Sequence, residues 1–254
     1  MTPSPLNFYE DLAEYFHLIF EDWNASIDRQ ATALDTVLRS ENFAPGANLL
    51  DCACGIGTQA LGFAMSGYRV VGSDISRTAV ARAKTEAGRR GLEIEFHIAD
   101  MTSLEEIPRD DFDVVAAMDN ALPHLTASQV MGAMRAIGSK LKRGGLFVAS
   151  IRDYDRLIKE RPTVQGPAFY GVEGERRIVH QIWEWAGQDR YRVHMYITLQ
   201  AGEQWAAHHF VTDYYCLLRS ELTAALESAG FIKVRWLWPE ESGFYQPVVL
   251  ARKG

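Results

Sequence analysis

The residues best suited to hold a ligand form a glycine-rich loop that runs from Asp51 through Ala53 and Gly55 to Gly57. Small residues let the backbone turn sharply from a strand into a helix and approach a ligand closely. Asp74 ends the next apolar run, about twenty residues further on, where an acid accepts hydrogen bonds from a ribose in dinucleotide-binding folds. A plain strand-to-helix turn would require the small residues but not this acid. The pattern therefore predicts a site for an adenosine-containing ligand.

The loop differs from a nicotinamide-binding loop, which would carry a third glycine at the position of Ala60. The segment Asp51-Cys-Ala53-Cys-Gly55-Ile-Gly57 instead resembles the first motif of class I S-adenosylmethionine-dependent methyltransferases. The resemblance covers roughly residues 48–150. It implies a methyl transfer that consumes S-adenosylmethionine and leaves S-adenosylhomocysteine. In that family the loop passes the methionine portion, the acid before the loop acts at its amino-acid end, and the second acid holds the ribose.

The same resemblance implies further cofactor contacts along the chain. Ile75 follows the ribose-binding acid, Asp100 and Met101 match the position that contacts the adenine, and Met118 and Asp119 belong to the fourth motif. An N-terminal cap resembling that of a related group would cover the carboxylate end of the cofactor with Tyr9 or Tyr15 and with Arg29.

Two segments narrow the resemblance to the glycine and sarcosine N-methyltransferases. They are Asn120-Ala-Leu-Pro-His124-Leu and Ile151-Arg152-Asp-Tyr154-Asp. In that group the asparagine and arginine bind the substrate, and a guanidinium can grip a carboxylate through two parallel hydrogen bonds. These roles carry over to Asn120 and Arg152, with Tyr154 nearby. Asp119 departs from the group, where glycine is usual. The resemblance implies the nitrogen of an amine or amino acid as the methyl acceptor.

Methyl transfer from a sulfonium is an in-line displacement, in which positioning and electrostatics can supply most of the catalysis. His124 is the best candidate for a general base because imidazole titrates near neutral pH, although histidine in such positions more often orients other groups than reacts. Tyr196 lies in an aromatic-rich segment and could face the methyl donor or an ammonium substrate by cation–π attraction. Ordinary sheet packing is the alternative for Tyr196.

Other functions remain open or are disfavoured. A natural-product or phenolic O-methyltransferase stays open because an aromatic segment suits a planar substrate, and a non-catalytic, cofactor-binding regulatory subunit is a third reading. A nucleic-acid methyltransferase is disfavoured by the net charge of −7 and by the segment Asp119-Asn-Ala-Leu-Pro-His. No metal is expected, because the adjacent His208 and His209 would point to opposite faces of a strand.

The pattern around these residues predicts the fold. From residue 48 onward short apolar runs alternate with helical patterns, which is typical of a parallel sheet with crossover helices. We expect an α/β chain with a Rossmann-like, doubly wound, mostly parallel seven-stranded sheet. Residues 1–254 would form one methyltransferase domain, with a helical cap (1–44), a cofactor-binding core (45–152), an inserted antiparallel β meander over the active site (160–218) and a return to the sheet (219–254). The cap is predicted helical over residues 7–40, with a break at residues 20–26.

The composition indicates the cellular compartment and the kinds of partner to expect. Three cysteines cannot all pair, and Cys52 and Cys54 are too close in sequence for a normal bridge, which favours a reducing compartment. The first residues lack a basic region followed by an apolar run, and no stretch approaches the ~20 apolar residues of a membrane span. We therefore expect a cytoplasmic protein with a small-molecule substrate and no nucleic-acid or membrane partner. The resembled enzymes include oligomers, so a homo-oligomer stays open.

Overall fold

The central sheet is built from the short apolar runs identified in the sequence. The structure is a computed structural model that describes residues 4–254, so residues 1–3 of the predicted cap lie outside the described residues. Seven strands form this sheet: β1 (Asn48–Asp51), β2 (Arg69–Asp74), β3 (Glu95–Ile98), β4 (Phe112–Ala117), β5 (Leu141–Ser150), β10 (Phe231–Leu237) and β11 (Val248–Lys253). The prediction of a mostly parallel, seven-stranded α/β sheet is confirmed.

The strand order creates a crevice. The order is β10-β11-β5-β4-β1-β2-β3, and only β11 runs antiparallel to its neighbours. The order reverses between β1 and β4, because the chain winds outward from β1 in one direction and later returns to its other side. Doubly wound sheets bind ligands at this switch point, beyond the carboxyl ends of the strands. The glycine loop follows β1, and the segment beginning at Met118 follows β4, so both lie at this point.

Helices cover both faces of the sheet. Their bounds are α1 (Pro5–Leu12), α2 (Trp23–Ser40), α3 (Thr58–Met65), α4 (Arg77–Arg89), α5 (Ala127–Lys140), α6 (Tyr154–Glu160), α7 (Arg219–Ser228) and α8 (Pro239–Ser242). Leu49 and Leu50 are fully buried and belong to the apolar clusters on opposite sides of the sheet. Burial on both faces explains why β1 reads as a continuous apolar run and not as an alternation.

The N-terminal cap departs from its predicted helical pattern. The helix ends at Leu12, a short 3₁₀ turn covers Phe16–Ile19, and α2 begins at Trp23. The predicted break at residues 20–26 is therefore wrong in its bounds. The side chain of Asp22 accepts a hydrogen bond from the Ala25 N–H at 3.0 Å, which caps the new helix and fixes its start.

The inserted meander is confirmed as a separate antiparallel sheet of four strands, β6 (Val164–Tyr170), β7 (Arg177–Ala186), β8 (Arg190–Ala201) and β9 (Gln204–Tyr215). In β8 the odd-numbered residues from Tyr191 to Ile197 are buried, and the even-numbered ones between them are partly exposed. The two-residue alternation in the sequence reports this arrangement. The meander thus turns one face toward the rest of the molecule.

Candidate active site

The glycine loop connects β1 to α3 through two left-handed residues. Gly55 has φ +52° and Gly57 has φ +98°, values that side chains other than glycine rarely adopt. A Cβ atom on Gly57 would also lie 3.3 Å from Cβ of Ala83 in α4. The turn therefore requires glycine at both positions, and at Gly57 it also requires close packing against the neighbouring helix.

Asp74 ties the loop to the end of β2. Its Oδ2 accepts a hydrogen bond from the Gly55 N–H and its Oδ1 accepts one from the Ser76 N–H, both at 2.9 Å. Burial raises the pKa of this carboxyl, while the two amide donors act in the opposite direction. A carboxylate oxygen can accept more than one hydrogen bond. Asp74 can therefore hold the loop and still accept hydrogen bonds from a ligand.

Asp51 is the most deeply buried acid of the loop. Its side chain is inaccessible to solvent, and the Ala53 N–H donates to Oδ1 at 3.4 Å. No residue among 4–254 donates a hydrogen bond to Oδ2. Burial raises the pKa of this carboxyl to about 7. A buried acceptor without a donor is costly, so this atom is suited to a cationic or hydrogen-bonding ligand group.

The first cavity, of about 360 Å³, opens over the glycine loop. The sequence-predicted site residues that line it are Ala53, Gly55, Asp74, Ile75, Asp100, Met101, Met118, Asp119 and His124. Asp51 and Gly57 lie beneath its floor and do not line it. Tyr9 of α1 contributes to its wall, so the N-terminal segment lies over the loop.

The second cavity, of about 820 Å³, lies beyond the carboxyl ends of β4 and β5. It is lined by Arg152, by Arg29 of α2 and by Tyr245 from the loop before β11. Asp119 alone among residues 4–254 lines both cavities. The two spaces therefore approach each other at this carboxyl group.

A chain of hydrogen bonds orders the side chains beside the second cavity. Nη1 of Arg152 donates to the Tyr191 hydroxyl at 2.7 Å, and the hydroxyls of Tyr191 and Tyr154 are 3.1 Å apart. Tyr154 donates to Oδ1 of Asn120 at 3.1 Å, and the backbone N–H of Arg152 donates to the same oxygen at 3.0 Å. These two donors fix the orientation of the Asn120 amide. Its Nδ2 is buried and has no acceptor among the described residues.

Arg152 is held by aromatic rings. Its guanidinium lies 4.9 Å from the ring centre of Trp183 and 5.1 Å from that of Tyr214. Within residues 4–254 no ion pair includes Arg152 or Asp119. A guanidinium is always charged, and a partly buried one without a carboxylate partner is suited to bind an anionic group.

His124 ends a 3₁₀ turn (Leu122–His124) and faces the first cavity. Its Nε2 lies 2.9 Å from the hydroxyl of Tyr9, and its ring lies over that of Tyr214 with the centres 4.1 Å apart. Burial lowers the pKa of this imidazole to about 3. The ring is therefore neutral near pH 7 and is a weak base there. The geometry favours an orienting role over proton abstraction.

Tyr15, Tyr196 and Arg29 lie away from the contacts with the cofactor or methyl donor that the sequence predicts for them. Tyr15 packs against His208, with the ring centres 4.2 Å apart, and lines neither cavity, so Tyr9 takes the position over the loop. Tyr196 lies on the outer face of the meander, stacked on His209 at 4.5 Å. Its expected contact with ligands is not supported, because successive strand residues point to opposite faces. Arg29 lines the second cavity and not the first.

Several site residues were not identified from the sequence. Tyr191, Trp183 and Tyr214 surround Arg152, and Tyr245 donates a hydrogen bond to Asp119. The alternation placed Tyr191 on one face of its strand but gave no sign that this face meets Arg152. Within residues 4–254 no group of three or more His, Cys, Asp or Glu side chains is arranged to hold a metal ion. None of the described helices is both long and apolar enough to cross a bilayer.

Comparisons with known proteins agree with this geometry. Residues 49–145 match the family model described as a methyltransferase domain, and this range holds the glycine loop, Asp74 and His124. A ubiquinone biosynthesis O-methyltransferase from Bradyrhizobium sp. (strain ORS 278) is 36% identical over 114 residues, which are 44% of this chain and 42% of the relative. A glycine/sarcosine N-methyltransferase from Parasynechococcus marenigrum (strain WH8102) is 26% identical over 60% of this chain and 53% of the relative. The chain thus spans about half the length of these relatives.

The fold is also shared with a solved structure that holds S-adenosylmethionine. CalS10, an amino pentose methyltransferase from Micromonospora echinaspora involved in calicheamicin biosynthesis, superimposes with a TM-score of 0.72. The superposition covers 90% of this chain and 92% of CalS10, at 21% sequence identity. It establishes a shared Rossmann-like fold for nearly the whole chain, including regions outside residues 49–145.

Proposed function

Because residues 49–145 carry a methyltransferase domain, we propose that this protein transfers a methyl group from S-adenosylmethionine to the nitrogen of a small amine or amino acid. The observation that carries the proposal is the meeting of two cavities at Asp119. One cavity opens over the glycine loop and would hold the methyl donor. The other presents an unpaired guanidinium and would hold the acceptor.

The residues at the first cavity match the successive parts of the cofactor in their chemistry. The Asp51 carboxyl lies beneath the floor of this cavity, and its Oδ2, to which no described residue donates, would reach the amino group of the methionine portion through a water molecule. Asp74 would accept from the ribose hydroxyls, and the half-buried Met101 and Ile75 would pack against the adenine. CalS10, which shares the fold, contains this cofactor. Together these residues give each part of the cofactor a complementary surface.

Arg152 favours an acceptor that carries a carboxylate. The guanidinium lies at the carboxyl end of β5, lines the second cavity and has no carboxylate partner among residues 4–254. Asn120 fixes its backbone, and the glycine/sarcosine N-methyltransferase relative fits the same acceptor class. The proposal includes the division of the domain into a helical cap (1–44), a cofactor-binding core (45–152), a β meander (160–218) and a return to the sheet (219–254). The meander supplies the aromatic wall around Arg152.

A phenolic O-methyltransferase is the second candidate, since several relatives are ubiquinone biosynthesis O-methyltransferases. A phenol has a pKa of ~10 and gains nucleophilicity when it loses its proton. The pKa of His124 is lowered to about 3, so this imidazole is a poor base for a phenol. An amine needs only to arrive neutral, or to give up a proton on binding. An alkylammonium ion titrates in the same range as a phenol, so the proton does not separate the two classes. Arg152, which suits a carboxylate, is the feature that favours an amino acid.

The residues of this chain would catalyse the reaction mainly by positioning. S-adenosylmethionine supplies an electrophilic methyl group on a sulfonium. Asp74 and the loop amides would hold the donor on the sheet side, with Asp51 behind them, and Arg152 would hold the acceptor carboxylate on the other side. The wall of α1 and the meander excludes water from the reacting atoms, which strengthens the electrostatic interactions there.

Isothermal titration tests the proposal directly. S-adenosylhomocysteine should bind the purified protein, and labelled S-adenosylmethionine should then methylate members of an amine and amino-acid panel. Replacing Arg152 with Gln should remove turnover of carboxylated amines and leave cofactor affinity near wild type. Binding without any turnover would point to phenols or to a regulatory subunit, and absence of binding would overturn the proposal.

A further inference from the structure

The backbone conformation at Asp119 does not require a carboxylate side chain. It has φ +55° and the following Asn120 has φ +65°, so the chain passes through the left-handed region twice in succession. Glycine adopts this region freely, and Asn and Asp are the side chains that tolerate it best. An asparagine would satisfy the backbone equally well at residue 119. The negative charge therefore requires a separate explanation.

The contacts of Asp119 leave part of its carboxylate free. The Tyr245 hydroxyl donates to Oδ1, and the backbone N–H of Asp119 donates to Oγ of Ser150 at 2.8 Å. Ser150 in turn donates to Gln246 at 2.8 Å, which holds the loop against β5. No described residue donates a hydrogen bond to Oδ2 of Asp119. The group is thus fixed in place and retains an acceptor oxygen at the junction of the cavities.

Two opposite charges line the second cavity without neutralising each other. Asp119 and Arg152 both face this space, yet neither forms an ion pair with any residue among 4–254. Partly buried charges are stable when they are paired. A ligand with an ammonium group and a carboxylate would bridge the two and complete both interactions.

We propose that Asp119 binds the ammonium group of the acceptor and accepts its proton, and that Asp119 and Arg152 together select a zwitterionic amine larger than glycine. This inference rests on the proposed function. Among the described residues only Asp119 lines both cavities, so the group it binds is the one placed next to the transferring methyl. The second cavity, at about 820 Å³, leaves room for a side chain well beyond an amino acid backbone.

The reaction balances in two steps. The ammonium nitrogen first gives a proton to the carboxylate of Asp119, which leaves a neutral amine with a lone pair. That lone pair forms a C–N bond with the sulfonium methyl while the C–S bond breaks and sulfur keeps the electron pair. The product leaves as a methylated ammonium ion, and Asp119 returns its proton to solvent when the site opens. Burial raises the pKa of Asp119, which makes the carboxylate a better proton acceptor.

The test compares Asp119→Asn with wild type. Asparagine keeps the shape, tolerates the left-handed backbone and can still accept from Tyr245, but it carries no charge. Asp110→Asn, in an exposed loop, is the matched control for loss of one carboxylate. The assays are transfer of labelled methyl to α-amino acids of increasing side-chain size, transfer to the matching amines without a carboxylate, and titration with S-adenosylhomocysteine.

We expect Asp119→Asn to lower kcat/KM for the amino acids by about 10²–10⁴-fold at pH 7, the range typical of a proton-accepting group. The loss should shrink as the pH rises, because solution then supplies more neutral amine. Affinity for S-adenosylhomocysteine should stay near wild type, and Asp110→Asn should behave as wild type. Arg152→Gln should impair only substrates with a carboxylate, whereas Asp119→Asn should impair all the amines.

Three results would overturn the inference. They are an unchanged kcat/KM, a loss that is equal at every pH, and a loss matched by an equal fall in cofactor affinity, which would make Asp119 a cofactor ligand. A wild-type protein that fails to bind S-adenosylhomocysteine would instead sink the proposed function. If wild type binds it but methylates no amine, the amino acids are titrated into that complex; binding that Asp119→Asn abolishes supports the inference, and absence of binding overturns it.

Discussion

Asp51 is a buried carboxyl whose protonation should be visible in the stability of the ligand-free protein. Burial raises its pKa to about 7, whereas an unfolded aspartate titrates near ~4. Between these values the folded chain holds the proton and the unfolded chain does not, so this group's contribution to stability falls as the pH rises through that window and is lost above it.

Asp51→Asn should remove this pH dependence. The Tm of the variant relative to wild type should increase from pH 4 to pH 7 and then level off. The corresponding difference in unfolding free energy is at most about 4 kcal/mol, since one pKa unit corresponds to ~1.4 kcal/mol. Thermal melts across this range, with Asp110→Asn as the control, make the measurement. A Tm difference that does not vary with pH would show that Asp51 titrates normally.

Ionisation of His124 should not contribute to the pH dependence of kcat/KM. Its pKa is lowered to about 3 by burial, so the ring stays neutral from pH 5.5 to 9. His124→Phe keeps a ring against Tyr214 but removes the contact with Tyr9. We expect kcat/KM to fall by about tenfold or less, in line with one lost hydrogen bond of ~1 kcal/mol, with the shape of the profile unchanged. Disappearance of an inflection between pH 6 and 7 would restore a proton-transfer role.

At the scale of elements, two helical glycines have opposite surroundings. Gly62 in α3 faces α2, and a Cβ atom there would lie 2.9 Å from Cβ of Ala31. Gly88 near the end of α4 has nothing within 4 Å of such an atom. Alanine is a better helix former than glycine by ~0.5–1 kcal/mol, but overpacking destabilises by ~1–3 kcal/mol. The two positions should therefore respond to alanine with opposite signs.

Gly88→Ala should raise the unfolding free energy by about 0.5 kcal/mol, whereas Gly62→Ala should lower it by about 1 kcal/mol, the helix gain being smaller than the packing strain. Urea unfolding of the two variants measures both differences on the same scale. Stabilisation by Gly62→Ala would mean that α2 can move away from α3, and that the cap is held less tightly than the close approach of the two helices indicates.

Local signals account for most of the elements that the sequence predicted. Ser76, a residue type that favours helix starts, accepts from the Ala79 N–H at 3.1 Å and starts α4, and Gly91, a residue type that favours helix ends, follows its end with φ +64°. Helix α6 (Tyr154–Glu160) was missed because its seven residues are too few to show a helical period. The break before α2 was misplaced because Tyr15 and Phe16 continue the apolar spacing of a helix. In the structure both side chains pack against the core, but neither residue belongs to an α-helix.

The residues of the candidate site also divide into those that local sequence signals predict and those that they do not. The glycine loop, Asp74 and Arg152 could be predicted, because each stands at the end of a strand in one continuous motif. The aromatic wall could not, since it depends on the register of the meander and on how that sheet meets the core. Trp183 of β7 pairs with Val193 of the neighbouring β8, and nothing local in the sequence places the indole ring near residue 152. Long-range contacts of this kind have no short sequence signature.

At the scale of the molecule, the N-terminal segment joins the two sheets across the first cavity. The carboxylate of Glu10 accepts hydrogen bonds from the Arg77 N–H at 2.6 Å and from the backbone N–H and hydroxyl of Thr78. Glu10 thereby caps the N-terminus of α4. Arg177 of the meander donates to the carbonyl oxygens of Leu18 and Phe20. The segment is thus attached to the core at one end and to the meander at the other, with the first cavity beneath it.

This arrangement predicts that the cofactor and the N-terminal segment stabilise each other. The hydrogen bond from the Thr78 hydroxyl and those from the Arg77 and Thr78 amides hold the pKa of Glu10 below its usual range, so the contact persists across neutral pH. Glu10→Ala should weaken S-adenosylhomocysteine binding by about tenfold, as expected for charged hydrogen bonds of ~1.5 kcal/mol. It should also speed cleavage before residue 40 by a protease, whereas Asp11→Ala, an exposed neighbour on the same helix, should do neither. In wild type the ligand should slow that cleavage. Equal affinity and equal cleavage in the two variants would mean that the segment lies over the cavity without closing it.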